Sequence, residues 1–141
     1  YYEKNKHCAY CDMLTLEKDD GRRMVGENDS FIAFVPFSAE VPFEIWILPT
    51  HHQSAFSQIV TAEKSDLAQI LRHGLGRLYE RPNDPDYSYA ICSAVSGMDH
   101  QQYLHWYLRI YPRTPTPGGF ELDVGMSINP STPEQDAELL R

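Results

Sequence analysis

Two cysteines and a scatter of histidines carry the chemistry this chain could do. Cys8-Ala9-Tyr10-Cys11 sets two thiols on one tight loop, and thiolates at that spacing can grip a single ion. Spacing alone leaves the pair open between zinc, a redox dithiol and coincidence. A thioredoxin-like redox pair is expected at the start of a helix that follows a strand. Here the pair lies near residue 1, with no strand before it. Tetrahedral zinc needs two further ligands, and the candidates sit at strand ends: His51 or His52, and His105. His7, His73 and His100 read as surface residues, and Cys92, beside Ile91, as a small buried hydrophobe.

The elements that must position these groups are legible as patterns. Residues 103–112 alternate with period two. Leu104, Trp106, Leu108 and Ile110 point one way, His105, Tyr107, Arg109 and Tyr111 the other, and Pro112 closes the strand. His51 and His52 follow Phe43-Glu44-Ile45-Trp46-Ile47-Leu48-Pro49, a strand with Phe43, Ile45 and Ile47 on one face. Short strands over 22–25 and 30–35, joined through Asn28-Asp29, predict an antiparallel hairpin.

Residues 61–80 carry a helical stripe of Leu67, Ile70, Leu71, Leu75, Leu78 and Tyr79, with Thr61 as N-cap and Arg81-Pro82 as the stop. Gly74 and Gly76 weaken that helix and suit close packing on a sheet. Asn83-Asp84-Pro85-Asp86 leads into a strand over 87–93, and the thiol pair leads into a short helical turn through Leu14. Beyond Arg113 a Pro- and Gly-rich connector delivers Thr132-Pro133-Glu134-Gln135, a capping box for a C-terminal helix. The expected fold class is α+β: five short, mostly antiparallel strands with one long helix between the third and fourth, helices on one face.

One domain over residues 1–141 suits a chain of 141 residues, 42% hydrophobic and 23% charged. A net charge of -8 argues against nucleic acid or an anionic membrane as partner. No apolar run approaches the roughly 20 residues that span a bilayer. Three cysteines do not make a secreted disulfide framework, so a cytoplasmic protein is expected. A start at Tyr1-Tyr2-Glu3-Lys4 and a stop at Leu139-Leu140-Arg141, inside a helical pattern, read as a piece of a longer protein.

Several segments in fixed order make a resemblance. Pro42-Phe43-Glu44-Ile45-Trp46-Ile47-Leu48-Pro49 with His52, Leu104-His105-Trp106, Tyr111-Pro112-Arg113, Gly119-Phe120-Glu121 and Ile128-Asn129-Pro130 resemble the C-terminal half of the galactose-1-phosphate uridylyltransferase family. That family lies within the histidine-triad superfamily, and its relatives include ADP-glucose phosphorylases. The resemblance covers residues 8–141. It implies a histidine-triad-like domain, the second of two in the subunit, with zinc held by Cys8, Cys11, His52 and His105. The family pattern puts histidine third after the proline, which selects His52 over His51.

The resemblance further implies sugar-phosphate contacts from Gly119, Phe120, Glu121, Gly125 and Asn129. Nucleotide sugar or hexose phosphate would be the partners of the full-length protein, and a homodimer is compatible with it. Two departures bear on activity. The family's nucleophile is the middle histidine of a His-Pro-His segment, which this chain lacks, and Tyr107 stands where many relatives carry a second histidine. Asp123 also replaces a glycine common in the family's Gly-Phe-Glu-x-Gly-Thr-Gly loop, which would set a carboxylate against phosphate. Two functions follow: one half of a hexose-1-phosphate nucleotidyltransferase, without its nucleophile, or a zinc-binding module that has kept the fold and recognises a nucleotide or a protein.

Overall fold

Asn28 folds the first hairpin around itself, its Oδ1 accepting from the backbone N–H groups of Ser30 (3.2 Å) and Phe31 (2.9 Å). The structure, a computed structural model, describes residues 1–81, 84–113 and 118–141. That hairpin joins β1 (Met24–Glu27) to β2 (Phe31–Phe34), and β3 (Ile45–Pro49) follows. After the long helix come β4 (Tyr87–Cys92) and β5 (Tyr107–Pro112). All neighbours in the sheet are antiparallel and the order is β1-β2-β3-β5-β4, which leaves β4 at one edge. The helices are α1 (Tyr2–Asn5), α2 (Ala9–Asp20), α3 (Thr61–Tyr79), α4 (Gly119–Val124) and α5 (Pro133–Leu140). The α+β class, the hairpin, the long helix between β3 and β4 and the proline-started last helix are as the sequence predicts.

The β2–β3 part of the sheet is covered on both faces, which the sequence does not suggest, while β4 stays exposed. Alternation sends Phe31, Ala33, Ile45, Ile47, Leu108 and Ile110 against Ile70 and Leu78 of α3 and against Ala137 and Leu140 of α5. Ile32, Phe34 and Leu48 point the opposite way and meet Leu14, Tyr10 and Met13 of α2. The expected short turn through Leu14 is therefore a 12-residue helix. Its stripe ends on Glu17, a carboxylate only 3% exposed, which Arg23 neutralises at 3.0 Å while also holding Glu134 at 2.7 Å. Nothing local to Leu16-Glu17-Lys18-Asp19-Asp20 announces that distant support.

Smaller differences have local causes. Phe43 stands at φ 63 with its N–H donated to Asp136 Oδ2 (2.9 Å), so it turns out of the strand and β3 begins at Ile45. His105 lies two residues before β5, since Leu104 N–H closes a turn on the Gln101 carbonyl (3.1 Å). β1 runs two residues later than read. Val60, not Thr61, caps α3, its N–H donated to Glu63 (2.9 Å), and Tyr79 leaves the stripe at 70% exposed. Gly74 is buried, and a Cβ there would sit 3.5 Å from Ile45 Cδ1, which is the close approach expected of it. Cys92 is half-exposed at the β4 edge rather than buried. Part of the Pro- and Gly-rich connector is α4, and the expected breaks at Pro82 and Asn83, like residues 114–117, lie outside the described residues.

Candidate functional site

Four side chains from three separate segments converge beside the first long helix. Cys8 is the residue that caps α2, and Cys11 lies in its first turn. His52 follows β3 and His105 precedes β5. The donor atoms of Cys8, Cys11, His52 and His105 all lie within 4.8 Å of one another, and the cysteines are free thiols. Cys11 Sγ is 3.4 Å from His52 Nδ1 and 3.5 Å from His105 Nδ1. A tetrahedral ion at about 2.3 Å from sulfur and about 2.0–2.1 Å from nitrogen spaces its sulfur and nitrogen ligands by about 3.5 Å. The two-thiol, two-imidazole set suits such an ion in chemistry, and both Cys11–histidine distances match that spacing.

The surroundings suit the four side chains to hold a cation. His105 is 5% exposed, and its Nε2–H is donated to the Pro49 carbonyl at 3.2 Å. That bond assigns the proton to Nε2 and turns the Nδ1 lone pair toward the cluster, the outer-shell arrangement usual for metal-bound histidine. Burial, then the neighbouring His52, pushes the His105 pKa down to about 4, so the ring is neutral at pH 7. Burial, then Cys8, pushes the Cys11 thiol up to about 12, a proton that a cation would have to displace. His51 is exposed and outside the cluster.

Tyr107, two residues after His105, stacks on Trp46 (ring centroids 4.5 Å) and lies 5.5 Å from Tyr10. Burial raises its phenol above the ordinary tyrosine range, which leaves a packing group rather than a nucleophile.

The five residues named for sugar-phosphate contact divide. Glu121 and Gly125 line a pocket of about 440 Å³ with Glu40, Tyr111, Arg113 and Ser127, while Gly119, Phe120, Asn129 and Asp123 are not in its wall. Glu121 also braces its own segment, accepting from the N–H groups of Gly118 (2.5 Å) and Ile128 (3.4 Å). Gly125, at φ 69, ends α4 in the left-handed region that glycine tolerates. Asn129 is committed to structure: its Nδ2 donates to the Ala39 carbonyl (3.1 Å) and its Oδ1 accepts from Ser131. Phe120 is 56% exposed.

The support beneath this pocket is not read from the sequence. Arg109 pairs with Glu40 at 3.0 Å and with the buried Glu44 at 2.7 Å, the Glu44 contact being an ion pair without a directed N–H bond. Its guanidinium lies 4.7 Å over the Tyr111 ring. A glutamate inside an otherwise apolar segment was the available signal.

The fold is histidine-triad-like. A zinc-bound histidine triad family protein from Mycobacterium smegmatis shares the fold with a TM-score of 0.64 at 18% identity, over 95% of this chain and 90% of that one. More specifically, the family described as galactose-1-phosphate uridyl transferase, C-terminal domain, matches residues 1–141, and the chain belongs to that family. It is 34% identical to an ADP-glucose phosphorylase from Arabidopsis thaliana, over 100% of this chain and 39% of the relative. It is 27% identical to a galactose-1-phosphate uridylyltransferase from Thermotoga maritima, over 100% of this chain and 46% of the relative. The crystal structure of an Arabidopsis thaliana ADP-glucose phosphorylase with bound ADP-glucose superposes with a TM-score of 0.83 at 32% identity, over 100% of this chain and 45% of that one. The chain thus spans less than half the length of these relatives.

Proposed function

We propose that residues 1–141 form the second domain of a hexose-1-phosphate nucleotidyltransferase, held together by zinc on Cys8, Cys11, His52 and His105. The observation that carries this reading is the cluster itself, two thiols and two imidazoles with donor atoms within 4.8 Å of one another in a member of this family. Four protein ligands close the coordination shell, so the metal's contribution is to folding: it ties the start of α2 to the ends of β3 and β5. His105, with Nδ1 aimed into the cluster and Nε2 on a carbonyl, has no free nitrogen for phosphorus.

The chain's part in transfer is recognition. The pocket beside α4 offers Glu121 and Glu40 to sugar hydroxyls and Arg113 to a phosphate, while the nucleophile that takes up the nucleotide comes from outside this chain. Nucleotide sugar and hexose phosphate are the partners of the whole protein. Free thiols at the site suit a reducing, cytoplasmic setting. Among the described residues no helix is long and apolar enough to cross a membrane.

A second reading, a zinc-binding module without transferase chemistry in the whole protein, is favoured by one observation, the packed phenol of Tyr107 at the second-histidine position. Labelled ADP-glucose or UDP-glucose separates the two. The isolated chain should acquire no covalent label, and the full-length protein should acquire one on a histidine outside residues 1–141. A label on His105 would overturn both the role and the metal assignment, and no label on the full-length protein would favour the module.

A further inference from the structure

We propose that Gln53 is a positioning residue for the metal centre, clamping the two histidine-bearing segments together and anchoring them to the start of α3. The role rests on the metal reading above. His52 and His105 come from segments far apart in sequence, and each is followed directly by one half of the clamp. Trp106 donates its backbone N–H to the Gln53 carbonyl at 2.9 Å and its indole Nε1–H to Gln53 Oε1, also at 2.9 Å. The two segments are thus pinned twice, once through the main chain and once through the side chains.

The indole cannot move to accommodate a looser partner. Trp106 is fully buried, with Phe31 and Phe56 edge-on to its ring at 5.8 and 5.0 Å. An indole N–H only donates, so the oxygen of the Gln53 amide must face Trp106 and its NH₂ must face away. That NH₂ reaches Glu63 Oε1 at 2.8 Å, while Glu63 Oε2 accepts the Val60 N–H at 2.9 Å. The relay Trp106–Gln53–Glu63–Val60 therefore runs from the His105 segment through the His52 segment to the cap of α3. Every donor in it has one assigned acceptor. Groups that orient metal ligands from outside the coordination shell typically matter 10–100-fold in metal affinity.

The relay predicts a rescue that general packing would not. In Gln53→Glu the new carboxylate still accepts from Trp106 but meets the Glu63 carboxylate. In Gln53→Glu combined with Glu63→Gln, the amide introduced at position 63 donates to the carboxylate introduced at position 53, and its oxygen still accepts from Val60. Zinc affinity of the purified chain is measured by competition with a chromophoric chelator, and ligand geometry by the d–d spectrum of the cobalt(II)-loaded chain. Wild type should bind one zinc, Gln53→Glu should bind at least 10-fold more weakly with a shifted cobalt spectrum, and the double variant should recover both. Leu140→Ala, a core change on α5 away from the site, should lower the melting temperature and leave the cobalt spectrum unmoved. Wild-type affinity and spectrum in Gln53→Glu, or a double variant no better than the single, would overturn the positioning role. Absence of zinc binding by the wild type would instead sink the metal centre, and this role with it.

Discussion

The Cys11 thiol would make the proposed metal centre pH-dependent, and the dependence can be worked out in advance. In the metal-free chain burial and then Cys8 hold that thiol up to about 12, so between pH 6 and pH 8 it is protonated almost completely. As a metal ligand it must be a thiolate. Each zinc bound in this window therefore releases a proton from Cys11, and apparent affinity should rise about tenfold per pH unit from this group alone. Across pH 6 to 8 that is about 100-fold, or about 2.7 kcal/mol at about 1.36 kcal/mol per unit. His105 adds nothing to the slope there, because its ring loses its proton near pH 4.

The metal-free chain should show the opposite sensitivity. A thiol whose folded pKa is raised stabilises the fold below its unfolded value. That contribution fades as pH climbs from the ordinary thiol value of 9.0 towards about 12. Zinc competition titrations at pH 6, 7 and 8, with proton release read by an indicator dye, test the first statement. Urea melts of chelator-treated chain at pH 8 and 10 test the second. An affinity flat between pH 6 and 8, or no proton released per zinc, would refute the assignment of Cys11 as a ligand. Cys11→Ser, which cannot supply a thiolate, should abolish tight zinc binding, and an unaltered stoichiometry in that variant would refute it equally.

Two further perturbations probe the rest of the site. Asp136 is buried, and burial raises its pKa, so its neutral form is the one the fold prefers and stability should fall as pH rises past the ordinary carboxylate range. Phe43 N–H and Ser131 Oγ–H both donate to the same oxygen, Oδ2. Asp136→Asn should therefore keep both bonds and flatten that slope, while Asp136→Ala should cost about 1–3 kcal/mol in urea melts of the zinc-loaded chain. A pH slope in Asp136→Asn equal to wild type would count against this. Glu121→Gln in the full-length protein should lower kcat/KM for the sugar substrate at least tenfold, about 1.4 kcal/mol, with covalent nucleotide labelling intact. Unchanged kinetics would reduce Glu121 to the brace for Gly118 and Ile128 that its hydrogen bonds already make it.

What could be read in the sequence, and what could not, follows the range of the interactions involved. The Cys-x-x-Cys pair and His105 are legible as candidate ligands because ligand chemistry restricts residue type sharply, whereas His52 is preferred over His51 only through the family resemblance; the structure draws the four together. The strands were legible because Ile45, Ile47, Leu108 and Ile110 repeat with the period of the sheet. The length of α2 was not, because Glu17 is tolerable on a buried stripe only through Arg23, six residues away and outside the helix. Likewise Asn129 and Glu121 are types suited to sugar hydroxyls and equally suited to bracing backbone. Only coordinates show Asn129 spent on Ala39 and Ser131, while Glu121 braces and also lines the pocket.

The expected clash between Asp123 and phosphate illustrates the same limit. It rests on the glycine that the family's loop pattern carries at that position. A helix from Gly119 to Val124 turns Glu121 and Gly125 to the pocket and leaves Asp123 out of its wall. On the proposed reading Asp123 therefore stands outside the pocket assigned to the sugar phosphate. The other departure from the family pattern, Tyr107, fills its position on β5 with a ring stacked on Trp46. On the proposed reading it bears on where the nucleophile resides, whereas sugar-phosphate recognition would fall to Glu40, Arg113 and Glu121.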